Sequence, residues 1–148
     1  MNFIVKISFL LLILVFAACS NNSVPNTDIE PVKEVKAYFQ DSITPKIIWE
    51  YSTDSSGTIL VSHFYKNGKL QMKGNIVNGV RDGKWIAWDD EGRMLSTGNY
   101  IDGFENGMWT VWFPNGQKRY EGLFKDGKRN GVWKFYDVQG VQLKEIAY

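Results

Sequence analysis

From Gly68 onward glycine recurs at one fixed interval, and that interval constrains the fold more than any other feature of the chain. Gly68, Gly92, Gly116 and Gly140, each 24 on from the last, form one series, and Gly74, Gly98 and Gly122 a second. Gly79, Gly103 and Gly127 form a third, and Gly83, Gly107 and Gly131 a fourth. Thirteen of the 14 glycines lie on this lattice, which excludes chance and makes this a repeat protein. Trp85, Trp109 and Trp133 keep the same interval, as do Trp88, Trp112 and Tyr136, and Ile76, Tyr100, Phe124 and Tyr148.

Glycine inside a strand or helix costs about 0.5–1 kcal/mol relative to alanine, so regular glycines mark places that need positive φ or a close approach. Asn67-Gly68, Asn78-Gly79, Asp82-Gly83, Asp102-Gly103, Asn106-Gly107, Asn115-Gly116, Asp126-Gly127 and Asn130-Gly131 are dipeptides that hairpin turns prefer. Between them lie runs such as Arg93 to Ile101 and Met108 to Phe113, of strand length and too short for a stable helix. The expected fold is all-β, an elongated antiparallel meander of 24-residue hairpin repeats.

Period-two alternation assigns the faces. Trp85, Ala87, Trp109, Val111, Phe113, Trp133 and Phe135 share a side that reads as buried. Met72, Ile76, Tyr100, Tyr120 and Phe124 join it from the first strands, beside Gly74, Gly98 and Gly122, whose missing side chains leave room for a neighbouring Trp. Trp88, Trp112 and Tyr136 fall on the opposite, half-wet side.

The run Gly, five on Gly, four on Gly-x-Trp-x-x-Trp/Tyr, then Asx/Glu/Gln-Gly resembles the variant form of the membrane occupation and recognition nexus (MORN) repeat. The resemblance covers 64–148 in about three and a half copies and implies an elongated antiparallel sheet of hairpins. In the last copy Ile146 replaces the expected Gly, as in a terminal cap, and Lys144 and Glu145 discourage edge pairing. Residues 31–63 read as a degenerate repeat with N-terminal strands, since Val35 to Tyr38 through Ser42 to Ile48 can be laid on Trp133 to Tyr136 through Gly140 to Ile146. The competing reading makes Pro31 to Phe39 a short helix with Val32, Val35 and Phe39 on one face.

The N-terminus points to placement. Residues 1–18 carry Lys6, an apolar run from Ile7 to Phe16 broken only by Ser8, and the small pair Ala17-Ala18. That order is a secretory leader, and the run is short of the roughly 20 apolar residues a bilayer span needs. Phe16-Ala17-Ala18-Cys19 resembles the lipobox of bacterial lipoproteins, with Phe16 where Leu is usual. The resemblance implies cleavage before Cys19, acylation of that residue, and a lipid anchor in the cell envelope. If the cell is Gram-negative, it further implies, with Ser20 next, sorting to the outer membrane, on its periplasmic or surface face. Residues 19–30 then form the lipidated Cys and a polar tether rich in Asn, Ser, Thr and Pro.

The whole chain sets 17 Lys and Arg against 16 Asp and Glu, so removing the leader with Lys6 leaves the two signs equal in number. Both signs are interspersed, which argues against a nucleic-acid partner. With Cys19 consumed, His63 is the one His, and no disulfide framework or Cys/His zinc site can be drawn. Ser62-His63 lacks a placed acid, so His63 reads as solvent-facing. Asp89-Asp90-Glu91 lacks calcium-loop spacing and reads as a solvated turn. Neither a catalytic residue, a metal site nor a cofactor is expected, and the chain reads as a binding protein, not an enzyme.

The candidate partner-binding feature is the stripe Trp88, Trp112 and Tyr136. Strands about 4.8 Å apart put equivalent rings about 9–10 Å apart, a spacing that suits an extended peptide or sugar rings. Aromatic rungs also hold a thin sheet together, and that packing role is the weightier reading of the stripe. The leading expectation is a membrane-anchored interaction module facing another envelope protein or polymer. A second is a glycan-binding repeat protein, because Gly83 to Trp88 followed by Gly92 to Gly98 is also similar to choline- or cell-wall-binding repeats. A third, implied by the YwqK-like branch of the variant-repeat family, is an antitoxin; an exported anchored protein would miss a cytosolic toxin.

Overall fold

The computed structural model describes residues 30–54 and 56–148. The leader and Cys19, on which the lipidation reading rests, lie outside the described residues. Every helix-or-strand element within them is a strand: β1 (Lys33–Tyr38), β2 (Pro45–Tyr51), β3 (Ile59–Phe64), β4 (Leu70–Val77), β5 (Val80–Trp88), β6 (Met94–Ile101), β7 (Phe104–Glu105), β8 (Gly107–Trp112), β9 (Lys118–Lys125), β10 (Lys128–Tyr136) and β11 (Gln142–Ala147). They form one antiparallel sheet in sequence order, with the short β7 also on β6. The fold is therefore the all-β meander of hairpins that the glycine lattice predicts. Lys33 to Tyr38 is a strand and not the alternative helix; Val35 pairs with Ile48, satisfying the edge of β2 that a helix would leave bare.

Two kinds of turn alternate along the sheet. Asn78-Gly79, Asp102-Gly103 and Asp126-Gly127 have positive φ at both residues, the two-residue type I′ hairpin whose twist matches its strands. The longer turns, centred on Gly68, Gly92, Gly116 and Gly140, repeat one hydrogen-bond pattern, such as Gly68 N–H to Tyr65 O and Tyr65 N–H to Lys69 O, both 2.9 Å. Ser42 takes a φ of 57° in the turn between β1 and β2 and donates to Phe39 O, as Gly140 donates to Asp137 O.

Asp82-Gly83, Asn106-Gly107 and Asn130-Gly131 are not turns. They open bulges, with Gly83, Gly107 and Gly131 at φ of 68°, 83° and 66°. On β4 and β5 the ladder runs from Asn75↔Asp82 to Lys73↔Ile86, so Gly74 alone faces Gly83-Lys84-Trp85. The same imbalance sets Gly122 opposite Gly131-Val132-Trp133. A bulge adds residues on one strand and re-aims the side chain that follows. Here that side chain is the Trp, laid across the neighbouring glycine. A Cβ at Gly74 would sit 2.2 Å from the Trp85 ring, at Gly98 1.7 Å from Trp109, and at Gly122 2.3 Å from Trp133. The Trp85 indole N–H donates to Asn75 O (3.1 Å) and that of Trp133 to Leu123 O (2.9 Å), so each ring also occupies a carbonyl at its bulge. At the middle copy the Asn106 N–H takes Asn99 O instead (2.8 Å).

Burying a Trp side chain stabilises by on the order of 4–6 kcal/mol before opposing terms, against about 1–2 kcal/mol for two glycines per repeat. The exchange favours the interlock. Trp133 is wholly buried and Trp85 nearly so. The rings continue edge to face along one side of the sheet. Successive centroids from Trp85 to Tyr100, Trp109, Phe124, Trp133 and Tyr148 are 6.1, 5.5, 5.8, 4.8 and 6.3 Å apart. Arg81 lies over Trp85 and Tyr100, and Arg129 over Trp133 and Tyr148. This aromatic face is the core.

Gly98→Ala is expected to lower the unfolding free energy by about 2–4 kcal/mol, although its φ suits any residue, because the new methyl must displace the Trp109 ring. Equilibrium denaturation in urea measures it.

Candidate functional site

The opposite face carries the stripe. In each long-turn hairpin the ladder shifts by one residue just before an aromatic, giving the pairs Trp88↔Met94, Trp112↔Lys118 and Tyr136↔Gln142. The three rings are half-buried, each in the same place on successive hairpins. The row extends further: Phe64 pairs with Leu70 and Tyr38 with Pro45 after the same shift. Phe64 was legible, lying one period before Trp88; Tyr38 corresponds to Tyr136 in the alignment of the N-terminal strands on the last copy.

The stripe positions differ in what covers them. Lys69, Arg93 and Gln117 are equivalent residues. Lys69 reaches over the next turn, its Cδ 4.0 Å from a Cβ built on Gly92, while Nζ donates to Glu91 O at 3.0 Å. Gln117 likewise covers Gly140, its Oε1 2.5 Å from such a Cβ. Arg93 does not cover Gly116, over which nothing comes within 4 Å. Its guanidinium is turned back onto its own turn, with Nε 2.7 Å from Asp89 Oδ2 and a close contact to Glu91 Oε2. Asp89 Oδ1 also accepts the Glu91 and Arg93 backbone N–H groups. Partial burial pushes the Asp89 carboxyl up, but these bonds outweigh it and hold the pKa below its ordinary value. The outcome is an open, mainly apolar hollow of Met94, Trp112, Pro114 and Gly116 with Arg93 and Asn115 at its rim.

Tyr136, the last ring of the stripe, is tied down. Its hydroxyl donates to Glu121 Oε1 (2.8 Å), and Lys118 Nζ lies 2.7 Å from Glu121 Oε2. The Lys118 bond, with that from Tyr136, holds the Glu121 carboxyl below its ordinary value, and the carboxylate in turn raises the Tyr136 phenol. Trp112 is thus the Trp of the row beside an uncovered turn glycine, as Phe64 is beside Gly68 at the other end, and Tyr136 is committed to structure.

His63 is not solvent-facing, although the lack of a placed acid suggests that it is. It sits half-buried on the aromatic face, opposite Met72 and Ile47, and burial, with Arg81 and Lys46 nearby, lowers its pKa. Asp89-Asp90-Glu91 forms the turn expected, with its first carboxylate spent on the turn's own N–H groups. No described helix is long and apolar enough to cross a membrane.

The MORN repeat variant family matches the chain at residues 58–78 and 105–126, two segments whose ends are two periods apart. Repeats of this type point to a repeat-built binding module. Neither the curated proteins nor the solved structures contain a match to this chain.

In Asp89→Asn/Glu91→Gln, Arg93 is freed to cover Gly116 as Lys69 and Gln117 cover theirs, and a fluorine-labelled Trp112 becomes less accessible to a soluble quencher. For Glu121, whose folded pKa is depressed, the contribution to stability is complete above the ordinary value of 4.5 and is lost as pH falls through the folded value. The stability gap between the native protein and Glu121→Gln therefore narrows on acidification below about pH 4.5, read from thermal unfolding across pH.

Proposed function

We propose that the protein is a lipoprotein anchored through acylated Cys19, whose sheet works as an interaction module facing another protein of the cell envelope. The observation that carries this reading is the outer-face stripe, one aromatic per hairpin, with Trp112 beside an uncovered hollow. A rigid sheet holds such rings at fixed spacing, so a partner meets them without ordering the surface first. Trp and Met beside Pro suit an apolar side chain of a partner, and Arg93 and Asn115 at the rim supply orientation. Residues 19–30 give the sheet reach from the membrane. Two or three acyl chains, at roughly 0.8 kcal/mol per buried CH₂, hold it there almost permanently. The reading assigns contact, not catalysis, and needs no cofactor.

Crosslinking the intact protein in its own envelope tests it. The expected result is a discrete protein adduct that disappears in Trp112→Ser with the fold retained, and a protein that leaves the membrane fraction in Cys19→Ala. Adducts unchanged by Trp112→Ser remove the stripe from the account. Adducts to glycan alone replace the protein partner with an envelope polymer.

A further inference from the structure

The aromatic face carries a hollow of its own, distinct from the stripe. One row of side chains crosses this face through the hairpin pairs His63↔Met72, Ala87↔Ser96, Val111↔Tyr120 and Phe135↔Lys144. These are the same two positions in successive copies of the repeat. Ala87 and Ser96 are the pair in which both side chains are small. The row is continuous across strands, with Met72 beside Ala87 and Val111 beside Ser96, so the small pair leaves a dip between larger neighbours. The dip is a hollow of about 190 Å³, walled by Met72, Arg81, Tyr100 and Trp109. An apolar cavity of roughly 150 Å³ accommodates a benzene ring, so the volume suits a single six-membered ring.

Arg81 supplies the charge at the rim. Its guanidinium lies 4.3 Å from the Trp85 ring centroid, and Nη1 donates to the Tyr100 hydroxyl at 3.0 Å. Nη2 points at the Met72 sulfur, 3.7 Å away, and neither partner carries a charge. Among the described residues Arg81 enters no ion pair. Glu105, which pairs with Tyr100, carries its carboxylate beside Gly127. Arg129 is the internal control. It stacks on Trp133 and Tyr148 as Arg81 does on Trp85 and Tyr100. The row beside it is filled, with Tyr120 and Phe135 rings 6.1 Å apart and Lys144 over Phe135. A guanidinium with its donors partly free, over an apolar ring-sized hollow, is complementary to a carboxylate on a flat apolar stem.

We infer that the hollow at Ala87 and Ser96 binds a small aryl carboxylate, its ring between Met72 and Trp109 and its carboxylate on Arg81. Phenylacetate, with neutral phenylacetamide as control, tests this on the full chain labelled with fluorotryptophan. The expected result is saturable movement of the Trp85 and Trp109 signals with phenylacetate, at least tenfold weaker with phenylacetamide and in Arg81→Gln, and unchanged in Arg129→Gln. Ala87→Val/Ser96→Tyr copies the chain's own Val111–Tyr120 pair into the dip; folded, it no longer binds. Equal response to acid and amide, no saturable response, or binding that survives the filled variant overturns the assignment.

Discussion

The contact between an indole ring and the backbone of the next strand is what the rest of this structure depends on. A single-layer sheet has no second layer to bury its side chains, so its core must lie within its own surface. Laying Trp85, Trp109 and Trp133 flat over Gly74, Gly98 and Gly122 does this, because the missing Cβ lets each ring reach the peptide plane. The positive-φ glycine two residues before each Trp opens the bulge that turns the ring inward. Glycine, bulge and Trp form one device, and none of the three is useful alone.

The N-terminal strands supply the comparison within the same molecule. Val61 stands one period before Trp85, and Ile59 one period before Gly83. Opposite Val61 on β2 stands Trp49, not a glycine. All three parts of the device are changed, and the β2–β3 ladder runs without a register shift. Likewise Arg81 donates to Tyr100 and Arg129 to Tyr148, whereas the equivalent positions in the middle copy are Glu105 and Phe124, which lacks a hydroxyl. The repeat thus varies in linked sets, and both proposed contact sites lie where a set is left incomplete. The uncovered Gly116 beside Trp112 is one such place, and the Ala87–Ser96 dip another.

Much of this was legible from spacing. The glycine lattice specifies hairpins, alternation assigns the two faces, and Gly74, Gly98 and Gly122 were readable as seats for Trp. The roles of the Asx-Gly pairs were not separable by composition. Asn78-Gly79 and Asp82-Gly83 look alike, and only pairing to the neighbouring strand makes one a turn and the other a bulge. His63 was misplaced because its reading rested on the missing acid, although it stands one period before Ala87, on the side that alternation assigns to the core. The Trp112 hollow was hidden because it depends on which way Arg93 bends, a choice made by Asp89 and Glu91 and not by the repeat itself.

Proton NMR of the glycines tests the central contact without altering it. With an indole face against each of them, the α-protons of Gly74, Gly98 and Gly122 are shifted strongly upfield of those of the turn glycines Gly79, Gly103 and Gly127, and show cross-relaxation to Trp85, Trp109 and Trp133 ring protons. Ordinary shifts for all six, with no such cross-relaxation, contradict the account.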